Sequence, residues 1–146
     1  MKISIVVIAL ALIAAQPCWA ALGGSPSSFG SAVSSVAAST ASGASYTDPQ
    51  SQLPNGTVVH EYANSGGTVF AVAWSGPMQP DVKALLGPWF DTYTKRATQR
   101  QSADLSHLAV AGADLVVVST GRVGAFQGRA WVISLLPEGF NTKEMK

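Results

Sequence analysis

Charged side chains are scarce in this chain: Asp, Glu, Lys and Arg make up 12% of its 146 residues. Nine basic side chains face eight acidic ones. A balance of that kind gives no electrostatic reason to seek nucleic acid or an anionic membrane surface. The densest basic group, Lys95, Arg96 and Arg100, fits the C-terminal end of a helix, where cations are favoured. Histidine is nearly absent, with only His60 and His107. His60-Glu61 matches the first half of a zinc HExxH motif, but position 64 is Asn. The pair also falls on a strand, where neighbours point to opposite faces and cannot share a metal. No G-x-S-x-G nucleophile elbow occurs; Trp74-Ser75-Gly76 is followed by Pro77, where a helix should begin. Paired carboxylates of the glycosidase type are also missing. Glu61 is the one acid in a strand interior, whereas Asp81, Asp91, Asp104 and Asp114 fit caps and solvated faces. No catalytic residue, cofactor site or metal site is expected.

The single cysteine, Cys18, lies in a segment built like a secretory signal peptide. Lys2 is its positive start, Ile3 to Ala15 its apolar run, and Gln16-Pro17 its break. Small residues at Cys18 and Ala20 suit cleavage before Ala21. The run is shorter than the roughly 20 residues that span a bilayer. An uncleaved anchor and a lipoprotein acylated at Cys18 are the alternatives; Ala15-Gln16-Pro17 is not the Leu-Ala-Gly type expected before an acylated cysteine. Cleavage leaves a cysteine-free mature chain with eight acids and eight bases, since Lys2 departs. Its core must then come from packing alone, without disulfides. The expected location is exported, periplasmic or secreted, with no membrane span after cleavage.

Residues 21–55 are dominated by Ser, Ala and Gly, and Asp48 is their only charge. That composition buries too little apolar surface to offset ordering entropy, so it reads as a flexible leader. Val33 to Ala41 has weak strand or helix character, and Ser45-Tyr46-Thr47 that of a short edge strand. Residues 56–140 read as a single domain, and 141–146 as a tail that frays.

Within the domain, Thr57 to Ala63 and Thr68 to Trp74 have β-branched and aromatic residues at strand frequency. Asn64-Ser65-Gly66-Gly67 between them is a turn, giving an antiparallel hairpin. Alternation puts Phe70, Val72 and Trp74 on one face and Val69, Ala71 and Ala73 on the other. Both faces are apolar, which marks a central strand. Pro80-Asp81 then opens a helix. Val82, Leu85, Leu86, Trp89, Phe90 and Tyr93 form its apolar stripe. The stripe runs through Gly87-Pro88 in register, which predicts one kinked helix rather than two. Strands follow at His107 to Ala111, Asp114 to Thr120 and Phe126 to Leu136, with Gly128 marking a bulge or a close approach.

The pieces GTVVHEYANSGGTVFAVAWSGP, the P-D-x-x-x-L-L-G-x-W-F helix and F-Q-G-R-A-W occur in that order after an Ala-Leu-Gly-Gly start. Together they resemble the bacterial exported domain-of-unknown-function family 2844 over nearly the whole chain. The resemblance implies an exported bacterial protein and transfers no activity, cofactor or site residue.

The expected fold is α+β: an antiparallel sheet of four or five strands with one long kinked helix packed on one face. The aromatics Trp74, Trp89, Phe90, Tyr93 and Trp131 read as core, with a ligand groove as the alternative. Arg129 shares a strand face with Gln127 and Trp131. A guanidinium there calls for a partner, and Glu61 is the acid available. The other reading of Arg129 and Trp131 is an anion-binding fork beside an aromatic wall. The expected function is a non-catalytic binding or accessory module of the cell envelope. Its partner would be another envelope protein, a glycan or a small ligand, and not nucleic acid. An envelope hydrolase using Glu61 or a histidine is the rival.

Overall fold

The computed structural model describes residues 22–26, 29–99, 107–111 and 114–146, the stretch 107–111 by its backbone alone. The expected signal peptide and Cys18 lie outside the described residues. Seven strands form one antiparallel sheet: β1 (Ser31–Ser39), β2 (Ser45–Gln52), β3 (Val58–Asn64), β4 (Val69–Gly76), β5 (His107–Ala111), β6 (Leu115–Arg122) and β7 (Ala125–Val132). Their spatial order is β1-β2-β3-β4-β7-β6-β5. The class is therefore α+β, but the strand count exceeds four or five. The five strands within 56–140 are all present. The two additional ones, β1 and β2, come from the segment expected to be a flexible leader.

A backbone ladder explains that difference. β1 carries almost no buried side chain, so its apolar content gave no sign of order. A strand edge offers unpaired N–H and C=O groups whatever the side chains are. β2 pairs along β3 from Tyr46↔Asn64 to Gln52↔Val58, and β1 pairs along β2. Ahead of them, Leu22 is fully buried. Its N–H donates to the Leu85 carbonyl at 3.1 Å, and the Gly23 N–H to the Val69 carbonyl at 2.8 Å. The C-terminal residues are likewise tied down rather than frayed: Met145 is buried, and the Lys146 N–H donates to the Tyr62 hydroxyl at 3.1 Å.

One helical run covers one face of the sheet. It consists of α1 (Val82–Leu86), a 3-10 turn at Gly87–Trp89, and α2 (Phe90–Thr98). Asp81 caps its start, its carboxylate accepting from the Lys83 and Ala84 N–H groups at 2.9 and 3.2 Å. Leu85 and Leu86 are buried, and Val82, Trp89, Phe90, Tyr93 and Ala97 pack partly buried onto Val59, Val72, Trp74, Leu115, Val117 and Ala130. The kink expected at Gly87-Pro88 is a sharp break in the backbone. Gly87 adopts φ 50° and ψ −121°, a conformation that costs a side-chain-bearing residue dearly. Pro88 then opens the 3-10 turn, where no helical hydrogen bond is lost to it. Gly87→Ala is accordingly expected to destabilise by about 1–3 kcal/mol, while Pro88→Ala stays within about 0.5 kcal/mol of wild type. Urea melts of the two variants check this, and the reverse ranking would contradict it.

The hairpin contains a departure from simple alternation. β3 pairs with β4 as Tyr62↔Ala71 and Ala63↔Val69, so Phe70 is the extra residue of a bulge. Val69, Val72 and Trp74 therefore face the helix, while Phe70, Ala71 and Ala73 face away. The expected grouping of Phe70 with Val72 and Trp74 fails for this reason.

Candidate functional site

The face of the sheet turned away from the helix carries an aromatic cluster of its own, Tyr46, Tyr62, Phe70, Trp131 and Phe140. Its apolar centre is Tyr62, Phe70, Ala71, Ala73 and Met145. Phe140 anchors the aromatic part, with ring centroids 4.8 Å from Phe70, 5.2 Å from Tyr46 and 5.7 Å from Tyr62. Edge-to-face packing of this kind adds to simple burial. Burial pushes the Tyr62 hydroxyl up to about 12.

Beside this cluster, β2 and β3 bring Asp48 to His60. The register places Gln50 opposite His60 and Thr47 opposite Ala63, so Asp48 lies on the same face, diagonal to His60. Nδ1 of His60 is 3.0 and 3.1 Å from the two carboxylate oxygens of Asp48. The imidazole stacks on Tyr62 at 6.1 Å with an interplanar angle of 16°. His60 was expected on a half-exposed face, yet it is buried. A carboxylate that orients an imidazole is two-thirds of a hydrolytic triad. Among the described residues, however, Asp48 is the only hydrogen-bond partner of the His60 imidazole, and neither residue lines a described cavity. Among the described residues no three of His, Cys, Asp and Glu gather where a metal could sit.

Arg129 and Glu61 fall on opposite faces. Glu61 is fully buried opposite Val72, in line with Ala130, on the helix-covered side. Arg129 sits one residue before Ala130 and so points the other way. The expected pair is not formed, because side chains on opposite faces of a sheet cannot meet through it. Arg129 instead donates from Nη1 to the carbonyls of Thr142 and Lys143, at 3.2 and 3.5 Å, holding the C-terminal segment against the face. Trp131 does share the face of Arg129, and it packs half-buried against the Tyr62–Phe70 cluster. Trp74 is core, and Trp89, Phe90 and Tyr93 are the helix side of the same core.

Two small hollows open on this side. One, of about 170 Å³, is lined by Tyr46, Tyr62, Phe140, Asn141, Glu144 and Met145. The other, of about 190 Å³, is lined by Arg129 together with Ser75, Thr120, Gln127, Gly128 and Trp74. Sequence reasoning missed Tyr46 and Asp48 because they lie in the supposed leader. The pattern Tyr46-x-Asp48-x-Gln50 was a usable sign, since spacing by two puts all three on one strand face.

The remaining feature is the edge. Residues 31–37 of β1 are exposed, with Val33 and Val36 at 57% and 49% of full exposure. Among the described residues β1 pairs only with β2. Its sequence, SAVSSVAAS, has no charge and no proline. A register shift between Ala32 and Ser34 leaves Ser34 to Ser39 in regular pairing.

In comparisons with known proteins, the model of the family described as "Protein of unknown function (DUF2844)" matches residues 18–145. No curated protein and no solved structure matches. No helix among the described residues is long and apolar enough to cross a membrane.

Proposed function

We propose, from the premise that the chain belongs to the DUF2844 family, that it is an exported, non-catalytic binding module of the cell envelope, periplasmic or secreted, that takes an extended segment of another envelope protein along β1. The observation that carries this reading is the bare edge. Edge strands are ordinarily blunted by lysine, proline, bulges, short length or a covering element. β1 is nine residues long and has neither lysine nor proline, and its one register shift, between Ala32 and Ser34, lies at its start. An added strand gains main-chain hydrogen bonds along such an edge, and small side chains on both faces leave room for the partner's own. The envelope-hydrolase alternative has one favourable contact, between His60 and Asp48, but no hydroxyl or thiol nucleophile reaches the imidazole among the described residues. The Glu61 version has its carboxylate on the buried, helix-covered side.

The test is recovery of partners with the native exported protein, compared with an edge-blocked variant. Val36→Lys puts a charge on an exposed edge position and is expected to leave stability within about 0.5 kcal/mol of wild type. Recovery of the bound envelope protein is expected to fall by about tenfold or more. Undiminished recovery with Val36→Lys would contradict binding along β1.

A further inference from the structure

We infer that Arg129 is the anchor of a second, separate site that binds a small carboxylate. The guanidinium is half-buried on β7 and, among the described residues, meets no carboxylate. Its hydrogen bonds all leave from Nη1, to the Thr142 and Lys143 carbonyls. Among the described residues the Nε–H and both Nη2–H donors meet no partner, and those are the donors that form a fork against a planar carboxylate.

The surroundings fit that ligand. Arg129 lines the hollow of about 190 Å³ with Ser75, Thr120 and Gln127, and no acidic side chain lines it. The three polar residues form one row across three strands: Ser75 pairs with Gln127, and Gln127 with Thr120. Arg129 is two residues along from Gln127, so the fork and the row share one face. Two hydroxyls and an amide stand beside the guanidinium as hydrogen-bonding groups, and Lys146 also lines the hollow. The apolar part of the wall is supplied by Val118 and Met145, and suits the short hydrocarbon part of such a ligand. The Nη1 bonds to the C-terminal segment fix the guanidinium plane before a ligand arrives, which lowers the ordering cost of binding. A carboxylate held bidentately by arginine is a charge-assisted contact of the strong class. The hollow is distinct from the β1 edge, so neither proposal depends on the other.

The test is a titration of the full chain with acetate replacing chloride at constant ionic strength. It is followed by the NMR signals of the Arg129 Nε–H and the Thr120 and Gln127 amides. Saturable shifts in all three are expected. Arg129→Gln should weaken binding by about tenfold or more, whereas Arg122→Gln, an exposed arginine at the end of β6, should leave it unchanged. Thr120→Val, which keeps the shape and removes the hydroxyl, should weaken it by about threefold; it carries the test if Arg129→Gln does not fold. Non-saturating shifts, or half-saturation unchanged in Thr120→Val and in any folded Arg129→Gln, would overturn the site. Tighter binding of inorganic phosphate than of acetate would overturn the assignment to a carboxylate.

Discussion

Gly128→Ala is expected to destabilise the protein by about 3 kcal/mol, the upper end of the range for overpacking a filled core. A Cβ built on Gly128 would lie 2.2 Å from Cζ2 of Trp74, 2.5 Å from Cε2 and 2.9 Å from Cη2. Trp74 is 1% exposed and packed within the helix-side core. Moving the backbone instead would break the pairing of β4 with β7, where Trp74 and Gly128 stand opposite each other. All three clashing atoms belong to the six-membered ring of the indole. Trp74→Phe removes that second ring, so Gly128→Ala should cost less than about 1 kcal/mol in the Trp74→Phe background. Trp74→Phe carries a cavity cost of its own, partly offset because the buried indole N–H has no hydrogen-bond partner among the described residues. The double-mutant cycle in urea should therefore show coupling of about 2 kcal/mol. Additive losses would mean that the indole does not fill the space above Gly128.

The second large effect concerns residues 21–55. Removing them is expected to abolish cooperative unfolding. Leu22 is fully buried among Leu85, Leu86 and Val69, and loss of a buried leucine side chain alone costs about 2–5 kcal/mol. β2 supplies the ladder on the outer side of β3 and the carboxylate of Asp48 that meets His60. Without β2, the buried His60 and Tyr62 would face water beside an open edge. Together these losses approach the whole stability of a domain this size. A fragment from Gly56 onward that melts at the wild-type urea midpoint would show that β1 and β2 are accessory.

Within 56–140 the sequence was a good guide to the fold. Two-residue alternation and turn chemistry located β3, β4, β6 and β7, and the 3.6-residue stripe located the helix through its break. These signals arise from side chains partitioning between core and solvent, and they are strong where both partners bury apolar groups. They failed where order comes from the main chain. β1 and β2 are held by backbone pairing, of which the sequence carries only the weak strand character of Val33 to Ala41 and of Ser45-Tyr46-Thr47. The bulge at Phe70 was illegible for a related reason: one extra residue reverses the faces beyond it without changing the composition of the strand. The Arg129–Glu61 pairing rested on charge inventory, and charge inventory does not know parity. Alternation put Arg129 correctly with Trp131. Applied to β3 and carried across β4, it would have put Glu61 on the other side. The contact that does form, His60 with Asp48, joins the domain to a segment thought to be outside it.

The most direct test of binding along β1 is site-specific photo-crosslinking in intact cells. A photoreactive phenylalanine analogue would replace Val36 on the edge strand or Val123 on the β6–β7 turn. Both valines are exposed, Val36 at 49% and Val123 at 96%, so a probe that senses exposure alone would favour Val123. Binding along β1 requires a discrete adduct with another envelope protein from position 36 and none from position 123. An adduct of two copies of this chain, equal labelling from the two positions, or no adduct from position 36 would contradict it.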